Sequence, residues 1–362
     1  MPSKRTVPIT AGAAATSPVA GGALLGRGAD HEAAAQALWS PRPPMPGREL
    51  HWLVHQASLA ANSHNAQPWR FRSQGAGLLI APDFNRRLPV ADPDDHHLYV
   101  SLGCAAENLR LAATALGRSA TLDFAGADGV RVLLGSGAGP TEPLFEAIAE
   151  RQCTRSDYDG RGLQAAQREL LLEAACIEGC ELLLVEDRAR MEQVLELVLE
   201  ANTRQVSNPA FAAELKHWIR FNAAAAIESG DGLYAASSGN PSLPTWLGRR
   251  LFDWVFKPAA ENRRYARQLR SSAGLALFTA DVDSPDGWAR VGQAYQRFAL
   301  QATALGLRHA HVNQPLEVAA LRPQLASLLG LGTRRPDLLL RYGFAPPMPR
   351  SLRRPVEAVL DA

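Results

Sequence analysis

The sequence has 362 residues, of which 46% are hydrophobic, and this length allows two domains or one large, internally duplicated fold. Its 38 lysines and arginines against 36 acidic residues exclude the strong basic excess of a nucleic-acid-binding protein, so any anion binding must be local. Four cysteines without C-x-x-C spacing are too few for a disulfide framework in a chain of this size, and we predict free thiols.

Residues 1–30 differ in composition from the rest of the chain. Lys4 and Arg5 precede an Ala/Gly-rich, mildly hydrophobic run, a pattern that resembles a weakened twin-arginine export signal. A disordered tail is the alternative, so the protein is expected in the cytoplasm, or in the periplasm if the signal is functional. No later segment approaches the ~20 apolar residues of a membrane helix, and no membrane insertion is expected.

Hydrophobic periodicity predicts alternating helices and strands in the first half of the chain. In chain order, the predictions are a helix at 49–61, the polar turn SHNAQPW at 63–69, a strand at 77–81, a helix that begins near His97 and a strand at 130–134. Asp94 or Asp95 is placed to cap the helix near His97.

The pattern restarts at Thr141 and predicts a second set of elements. In chain order, these are a helix from Thr141, the polar string RQCTRSDYDG at 151–160, a helix from Gln164, a strand at 181–185, a long helix from Arg188, a strand at 275–279, a helix at 287–305, a strand segment HVNQP at 311–315 and a strand at 338–342. The Gly/Ser/Pro-rich stretch 229–258, which contains Trp246, Trp254 and Phe256, is interpreted as an insertion.

Two segments of the chain are similar to each other. Residues 103–117 (GCAAENLRLAATALG) and 292–306 (GQAYQRFALQATALG) share eight of fifteen positions without a gap, and their apolar positions coincide at helical spacing. Chance similarity between two Ala-rich helices is the alternative. Otherwise the chain is a duplicated α+β unit, with a first lobe at 45–140 and a second at 141–362.

The turn S-x-N-x-Q-P-W, between a helix and a strand, resembles the nitroreductase-like superfamily of FMN enzymes. Its fused branch, the Acg-type oxidoreductases, is the closest likeness, and the resemblance covers residues 45–360. Four segments carry the likeness to that branch: LAANSHNAQPW at 59–69, GLRHAHVNQPLE at 306–317, RPDLLLRYGFAPPMP at 335–349 and SLRRPVE at 351–357. It implies an α+β nitroreductase-like fold in which two lobes of one chain form a monomeric pseudo-dimer.

The resemblance also implies one FMN site built from separate parts of the chain. The residues that match cofactor-binding positions are Ser63, Asn65 and Gln67 in the turn, Arg151, Gln152, Cys153 and Arg155 in the polar string, His311 and Asn313 near the flavin, and Arg353 and Arg354 in the tail. Cys153 stands where a hydroxyl residue is usual. Because the turn occurs only in the first lobe and the string only in the second, one complete site between the lobes is expected.

In relatives, the segment that matches Val312, Asn313 and Gln314 passes the reactive N5 edge of the flavin with a backbone N–H donor. The implied reaction is hydride transfer from NAD(P)H to FMN and then to a nitroaromatic, quinone or similar acceptor. The alternative is a flavin-binding or flavin-sequestering protein without turnover, whose Trp-bearing insertion covers the ring. A lobe-to-lobe packing arm is the other interpretation of that insertion.

Two histidine clusters are candidate metal sites. His309 and His311 lie two apart, and the pair His96 and His97 lies beside Asp92, Asp94 and Asp95, but neither group has a recognised metal-ligand spacing. Helix capping and loop solvation are the preferred interpretation, and no metal is expected.

Overall fold

Two sheets, each crossed by its own long helix, organise the chain in the computed structural model, which describes residues 18–40, 42–137 and 142–361. The first part contains α1 (Pro18–Leu38), α2 (Glu49–Ser58), β1 (Trp69–Gln74), β2 (Gly77–Pro82), α3 (His96–Ala115), β3 (Ala120–Phe124) and β4 (Val130–Leu134). The second part begins with α4 (Ala165–Ala174), β5 (Cys180–Val185), α5 (Arg188–Val206), α6 (Pro209–Trp218), β6 (Ile219–Arg220), α7 (Ala223–Ser229), β7 (Leu233–Tyr234), α8 (Thr245–Val255) and α9 (Pro258–Arg270). It continues with β8 (Gly274–Ala280), α10 (Pro285–Ala304), β9 (Arg308–His311), α11 (Gln314–Glu317), α12 (Arg322–Leu329), β10 (Leu338–Gly343) and β11 (Leu360–Asp361).

The two sheets share one strand order. The first runs β1-β2-β4-β3 with β11 added beside β1, and the second runs β5-β8-β10-β9. In both, the long helix follows the second strand of this order in sequence, and all neighbours except β1 and β11 are antiparallel. The shared order agrees with the predicted α+β fold of two duplicated lobes.

The repeated segments form α3 and α10, which pack directly against each other. A Cβ atom added at Gly103 would lie 1.8 Å from the carbonyl oxygen of Ala289, and one added at Gly292 would lie 2.0 Å from that of Val100. Gly103 matches Gly292 in the repeat, and Val100 matches Ala289, so the contact is reciprocal, as across a two-fold axis in a dimer. The repeat therefore preserves the glycines that let two helix backbones approach closely.

An insertion distinguishes the second lobe from the first. The hairpin between β1 and β2 occupies only residues 75–76, whereas residues 186–273 separate the matching strands β5 and β8. The predicted insertion at 229–258 is therefore too short, because it marks only the irregular middle of a larger, mostly helical segment. The breakers in the sequence identify its loops, and its amphipathic helices carry no such signal.

Both ends of the described chain pack against the lobes. Of the predicted tail at 1–30, residues 18–30 lie in α1, whereas residues 1–17 lie outside the described residues. β11 pairs in parallel with β1, with Leu360 beside Phe71. The C-terminal segment thus crosses from the second lobe back to the sheet of the first.

Several local predictions need correction. The strand predicted at 311–315 ends at His311 and is followed by the short helix α11. The helix predicted from Thr141 is a 3-10 turn at Pro143–Ile148, and Thr141 itself lies outside the described residues. Strands β1 and β3 were not predicted. Within the described ranges, no helix combines the length and apolarity needed to cross a bilayer.

Candidate functional site

A small cleft of about 70 Å³ that opens to solvent lies where the tail meets both lobes. Its walls come from distant parts of the sequence: Trp39 after α1, Asn65 in the polar turn, Arg151 and Arg155 in the polar string, and Arg353 in the tail. A volume of about 70 Å³ suits a phosphate group and is well below the roughly 300–1,000 Å³ of a pocket that encloses a whole small molecule. Because its walls combine residues of both lobes, the cleft is the first candidate for the phosphate end of the expected site.

Six of the residues predicted from the sequence line this cleft: Asn65, Arg151, Gln152, Cys153, Arg155 and Arg353. The others lie outside its lining: Ser63, Gln67, His311, Val312, Asn313, Gln314 and Arg354. Sequence reasoning missed Trp39, Arg350, Leu233 and Ser237, which also line it. Trp39 precedes the segment that the resemblance covers, so no motif could have identified it.

The polar turn has a strained backbone. His64 and Asn65 have φ of 52° and Gln67 has φ of 53°, in the left-handed region that non-glycine residues enter at a cost of about 1–3 kcal/mol each. Asn65 Nδ2 donates to the carbonyl oxygens of Gly232 and Leu352, each at 3.0 Å. These bonds hold the turn against the insertion and the tail.

Gln67 and Arg354 have structural roles. The Gln67 side chain is fully buried, donates from Nε2 to the Gly230 carbonyl at 2.9 Å and accepts from the Arg354 backbone N–H at 2.9 Å. The Arg354 guanidinium donates to the Ala358 carbonyl at 2.7 Å. Gln67 thus holds the tail onto the turn, and Arg354 lies outside the lining of the cleft.

Arg353 caps the end of α2. Its Nε donates to the Ser58 carbonyl at 2.8 Å, its Nη2 donates to the Leu59 and Ala60 carbonyls at 3.3 and 3.2 Å, and its Nη1 donates to Asn65 Oδ1 at 2.9 Å. These carbonyls belong to the last turn of a helix, where cations are favoured. Because its donors are engaged by the protein, Arg353 acts on the cleft mainly through its charge.

Arg151 and Arg155 leave donor capacity in the cleft. Arg151 is buried and donates from Nη2 to the Leu59 carbonyl at 2.9 Å, but its Nε has no partner among the described residues. Among the described residues, Arg155 has no acidic partner and no carboxylate lines the cleft. Burial and the nearby Arg151 charge lower the pKa of Arg353 to about 9. The cleft therefore carries uncompensated positive charge and favours an anion.

Cys153 links the cleft to a buried cluster of polar side chains. Its Sγ lies 3.7 Å from His309 Nε2 and 3.8 Å from the Tyr295 hydroxyl, which is also 3.1 Å from His309 Nε2 and 3.0 Å from His311 Nε2. Cys153 and His309 sit side by side in a parallel β-bridge. The two histidines share one partner, Tyr295 from α10.

The segment expected near the flavin N5 edge is engaged within the protein. The Val312 backbone N–H donates to the Leu339 carbonyl at 3.0 Å, so it is not the free donor that was expected. Asn313 Oδ1 accepts from the Leu339 backbone N–H at 2.9 Å, whereas the buried Gln314 Oε1 has no partner among the described residues. Gln314 is therefore the one side chain of this segment with an unused acceptor.

The cluster of Asp92, His96 and His97 serves the protein itself. Asp92 accepts from the backbone N–H groups of His97 and Leu98, each at 2.9 Å, and so caps α3 in place of the predicted Asp94 or Asp95. His96 Nε2 lies 2.9 Å from Asp337 Oδ1. Ligand atoms of the three residues lie within 4.8 Å of one another, but these bonds already occupy the Asp92 carboxylate and the His96 ring.

The tryptophans of the insertion do not cover the cleft. Trp246 is 67% exposed and Trp254 is 76% exposed, both on α8. The part of the insertion at the cleft is instead the wall formed by Leu233 and Ser237. The expected cover over a ring would therefore come from this wall.

Comparison with known proteins gives relatives along most of the chain, although no protein-family model matches it. A Mycobacterium tuberculosis protein named as a putative NAD(P)H nitroreductase is 28% identical over 322 residues, which cover 84% of this chain and 89% of that protein. A second M. tuberculosis protein, named as uncharacterized, is 25% identical over 330 residues, 84% of this chain and 90% of its own length. A nitroreductase with bound FMN from Desulfitobacterium hafniense is 13% identical and covers 62% of this chain and 99% of its own, with a TM-score of 0.40.

The curated relatives confirm the resemblance to the nitroreductase-like superfamily that the motifs indicated. The fused Acg-type branch stays a prediction.

Proposed function

We propose that this nitroreductase-like chain is an FMN-dependent oxidoreductase that takes hydride from NAD(P)H and passes electrons to a nitroaromatic, quinone or similar small acceptor. The observation that carries the proposal is the positively charged cleft to which both lobes contribute. The FMN phosphate is near dianionic at neutral pH and matches a pocket lined by arginines without carboxylates. The name of the M. tuberculosis relative supports NAD(P)H as the hydride donor.

The side chains of the cleft fit the phosphate group of such a cofactor. Arg151 and Arg155 would bind the phosphate directly, because both retain unused donors. Arg353 would add charge, and an anion would relieve its repulsion with Arg151. Trp39 and Leu233 add apolar side chains to the lining. When bound, FMN supplies a centre that accepts hydride and returns electrons to a second substrate.

One complete site per chain follows from this arrangement. Asn65 lines the cleft from the first lobe and the polar string lines it from the second, which supports a site that one chain completes by itself. Purified protein should therefore contain about one FMN per chain, measured by flavin absorbance after release. Stopped-flow mixing with NADPH and with NADH should bleach the flavin band. A chain that neither retains nor binds added FMN would refute the proposal.

A second candidate is a flavin-sequestering protein without turnover. It is favoured by the insertion wall at the cleft, where Gly230 and Gly232 bond directly to the polar turn. In the nitroreductase-like first lobe, no insertion occurs at the matching hairpin. Bound flavin that stays oxidised in excess NADPH and NADH, but is reduced by dithionite, would support this candidate over turnover.

A further inference from the structure

Cys153 lies where the open cleft meets buried acid–base groups that the proposed function does not use. Its side chain lines the cleft, whereas its neighbours Tyr295 and His309 are 1% and 0% exposed. None of the other three cysteines lines the cleft. A reagent that enters the cleft therefore meets one thiol, and that thiol has a histidine at 3.7 Å.

The cluster can hold the proton that a thiolate releases. The Tyr295 hydroxyl has one proton and two lone pairs, so it can donate to one of the two imidazoles and accept from the other. Nδ1 of both His309 and His311 has no partner among the described residues. His309 Nε2 can accept the Cys153 proton and leave a thiolate–imidazolium pair, the arrangement that activates cysteine nucleophiles.

Charges from every neighbouring element act on this thiol. The groups that face it are His309 and His311 from β9, Tyr295 from α10, Cys104 from α3, Arg353 from the tail, and Arg151 and Tyr158 from its own segment. Burial opposes ionisation, but the two histidines hold the pKa of Cys153 well below its usual range. By contrast, burial raises the pKa of Cys180 to about 12.

A second observation, a buried arginine with an unpartnered donor, favours anion binding beside Cys153. Arg151 is only 4% exposed, lines the cleft beside Cys153, and has an Nε without a partner among the described residues. A bound anion and the Cys153 thiolate would both be stabilised by this guanidinium and would repel each other. Their free energies are coupled, and the coupling is reciprocal.

We propose that Cys153 is a modification site for small hydroperoxides, and that anion binding in the cleft and the reactivity of Cys153 oppose each other. The thiolate attacks one peroxide oxygen, an S–O bond forms as the O–O bond breaks, and sulfur loses two electrons to the peroxide. The hydroxide or alkoxide that leaves takes the proton held by His309. The product is a neutral sulfenic acid; when it gives its proton to the now neutral His309 or to solvent, the sulfenate carries negative charge beside Arg151 and competes with a phosphate for the same cation.

The test of reactivity uses the full chain freed of flavin. Iodoacetamide labelling is followed by mass spectrometry of the Cys153 peptide, with the exposed Cys176 as an internal control, from pH 5 to 9. At pH 6, Cys153 should react faster than Cys176, because the two neighbouring histidines favour the thiolate of Cys153. Inorganic phosphate should slow Cys153 and leave Cys176 unchanged. The His309→Gln variant should move the pH profile of Cys153 toward that of Cys176.

Hydrogen peroxide followed by dimedone should label Cys153 in preference to Cys176. Equal labelling of the two cysteines at all pH values, or no effect of phosphate on Cys153, would overturn the proposal. These measurements do not depend on flavin, so they remain decisive if the proposed FMN binding fails.

A third measurement rests on the proposed function. Peroxide should weaken FMN binding about tenfold, weaken riboflavin binding much less, and be reversed by dithiothreitol. In Cys153→Ser, peroxide should leave the affinity for FMN as it was before treatment. Loss of affinity in that variant as well would assign the effect to another residue and contradict the proposed competition.

Discussion

Arg155→Ala isolates the contribution of the cleft to phosphate binding. The Arg155 guanidinium has no acidic partner among the described residues, so its removal should leave the fold intact. A charge-assisted hydrogen bond contributes about 1.5–3 kcal/mol, which corresponds to a loss of roughly 10- to 150-fold in FMN affinity. Riboflavin lacks the phosphate, and its affinity should change by less than about threefold.

The assay is titration of flavin-free protein with FMN and with riboflavin, followed by quenching of flavin fluorescence. Arg161→Ala is the matched control, because Arg161 is exposed, bonds to Asp159 at 2.7 Å and lies outside the cleft. Arg155→Lys should recover part of the affinity, since it keeps the charge but loses the planar fork. Equal losses for FMN and riboflavin would refute a phosphate role for Arg155.

Arg353→Ala is a poorer test of the same idea. Its guanidinium holds the carbonyls of Ser58, Leu59 and Ala60, and its loss would leave buried acceptors unsatisfied at about 1–3 kcal/mol each. Lower flavin binding in that variant would report a weakened fold as much as a lost charge.

Other substitutions test the lobe contact, a buried acid and the strained turn. Gly103→Ala should destabilise the protein by at least about 2 kcal/mol in urea unfolding, because the new Cβ would meet the Ala289 carbonyl at 1.8 Å; Gly162→Ala, which has open space, should change stability by less than about 0.5 kcal/mol. Burial raises the pKa of Glu317 from 4.5 to about 7, so the folded state binds an extra proton between these values and wild-type stability falls as pH rises through them. In Glu317→Gln this fall in stability should be absent. Relative to the wild type, the variant should therefore gain up to about 3 kcal/mol of stability between pH 4.5 and pH 7.5, which is an upper limit because solvent reaches part of the side chain. A stability difference between the two proteins that does not depend on pH would contradict the assigned cause. Asn65→Ala should cost at least about 2 kcal/mol and Asn65→Gly less, since glycine accepts the φ of 52°; equal losses would show that strain contributes little.

The helical repeat was predictable because the residues that match in the two segments are also the residues that the contact between the two helices requires. The glycine that begins each repeat removes a Cβ at the crossing point, and the apolar positions spaced three and four apart become the buried stripe of α3 and α10. This pattern can be recognised from the sequence alone, because each helix packs against the other copy of the same repeat.

The insertion was only partly predictable, because its first and last residues can be identified only when the strands of the two lobes are matched to each other. Helices α5, α6 and α9 have ordinary amphipathic sequences and could belong to any lobe. Only the matching strand order shows that residues 186–273 replace a short hairpin. The exposed tryptophans of α8 also mislead, because aromatic content alone does not say which face a helix presents.

Motifs indicate the candidate site residues, but only the folded structure shows which atoms each of their side chains contacts. The turn, string and tail each contribute residues to the cleft, but the sequence gives Arg353 and Arg155 the same apparent role. The structure separates them: the donors of Arg353 hold the end of α2, whereas Arg155 faces the cleft without an acidic partner among the described residues. Tyr295 was missed for a related reason, since its place on the buried face of α10 is that of any core residue. Only its hydroxyl, bonded to two histidines from another strand, distinguishes it. Functional assignment therefore depends on which polar atoms lack hydrogen-bond partners after folding, and the sequence alone does not show which atoms these are.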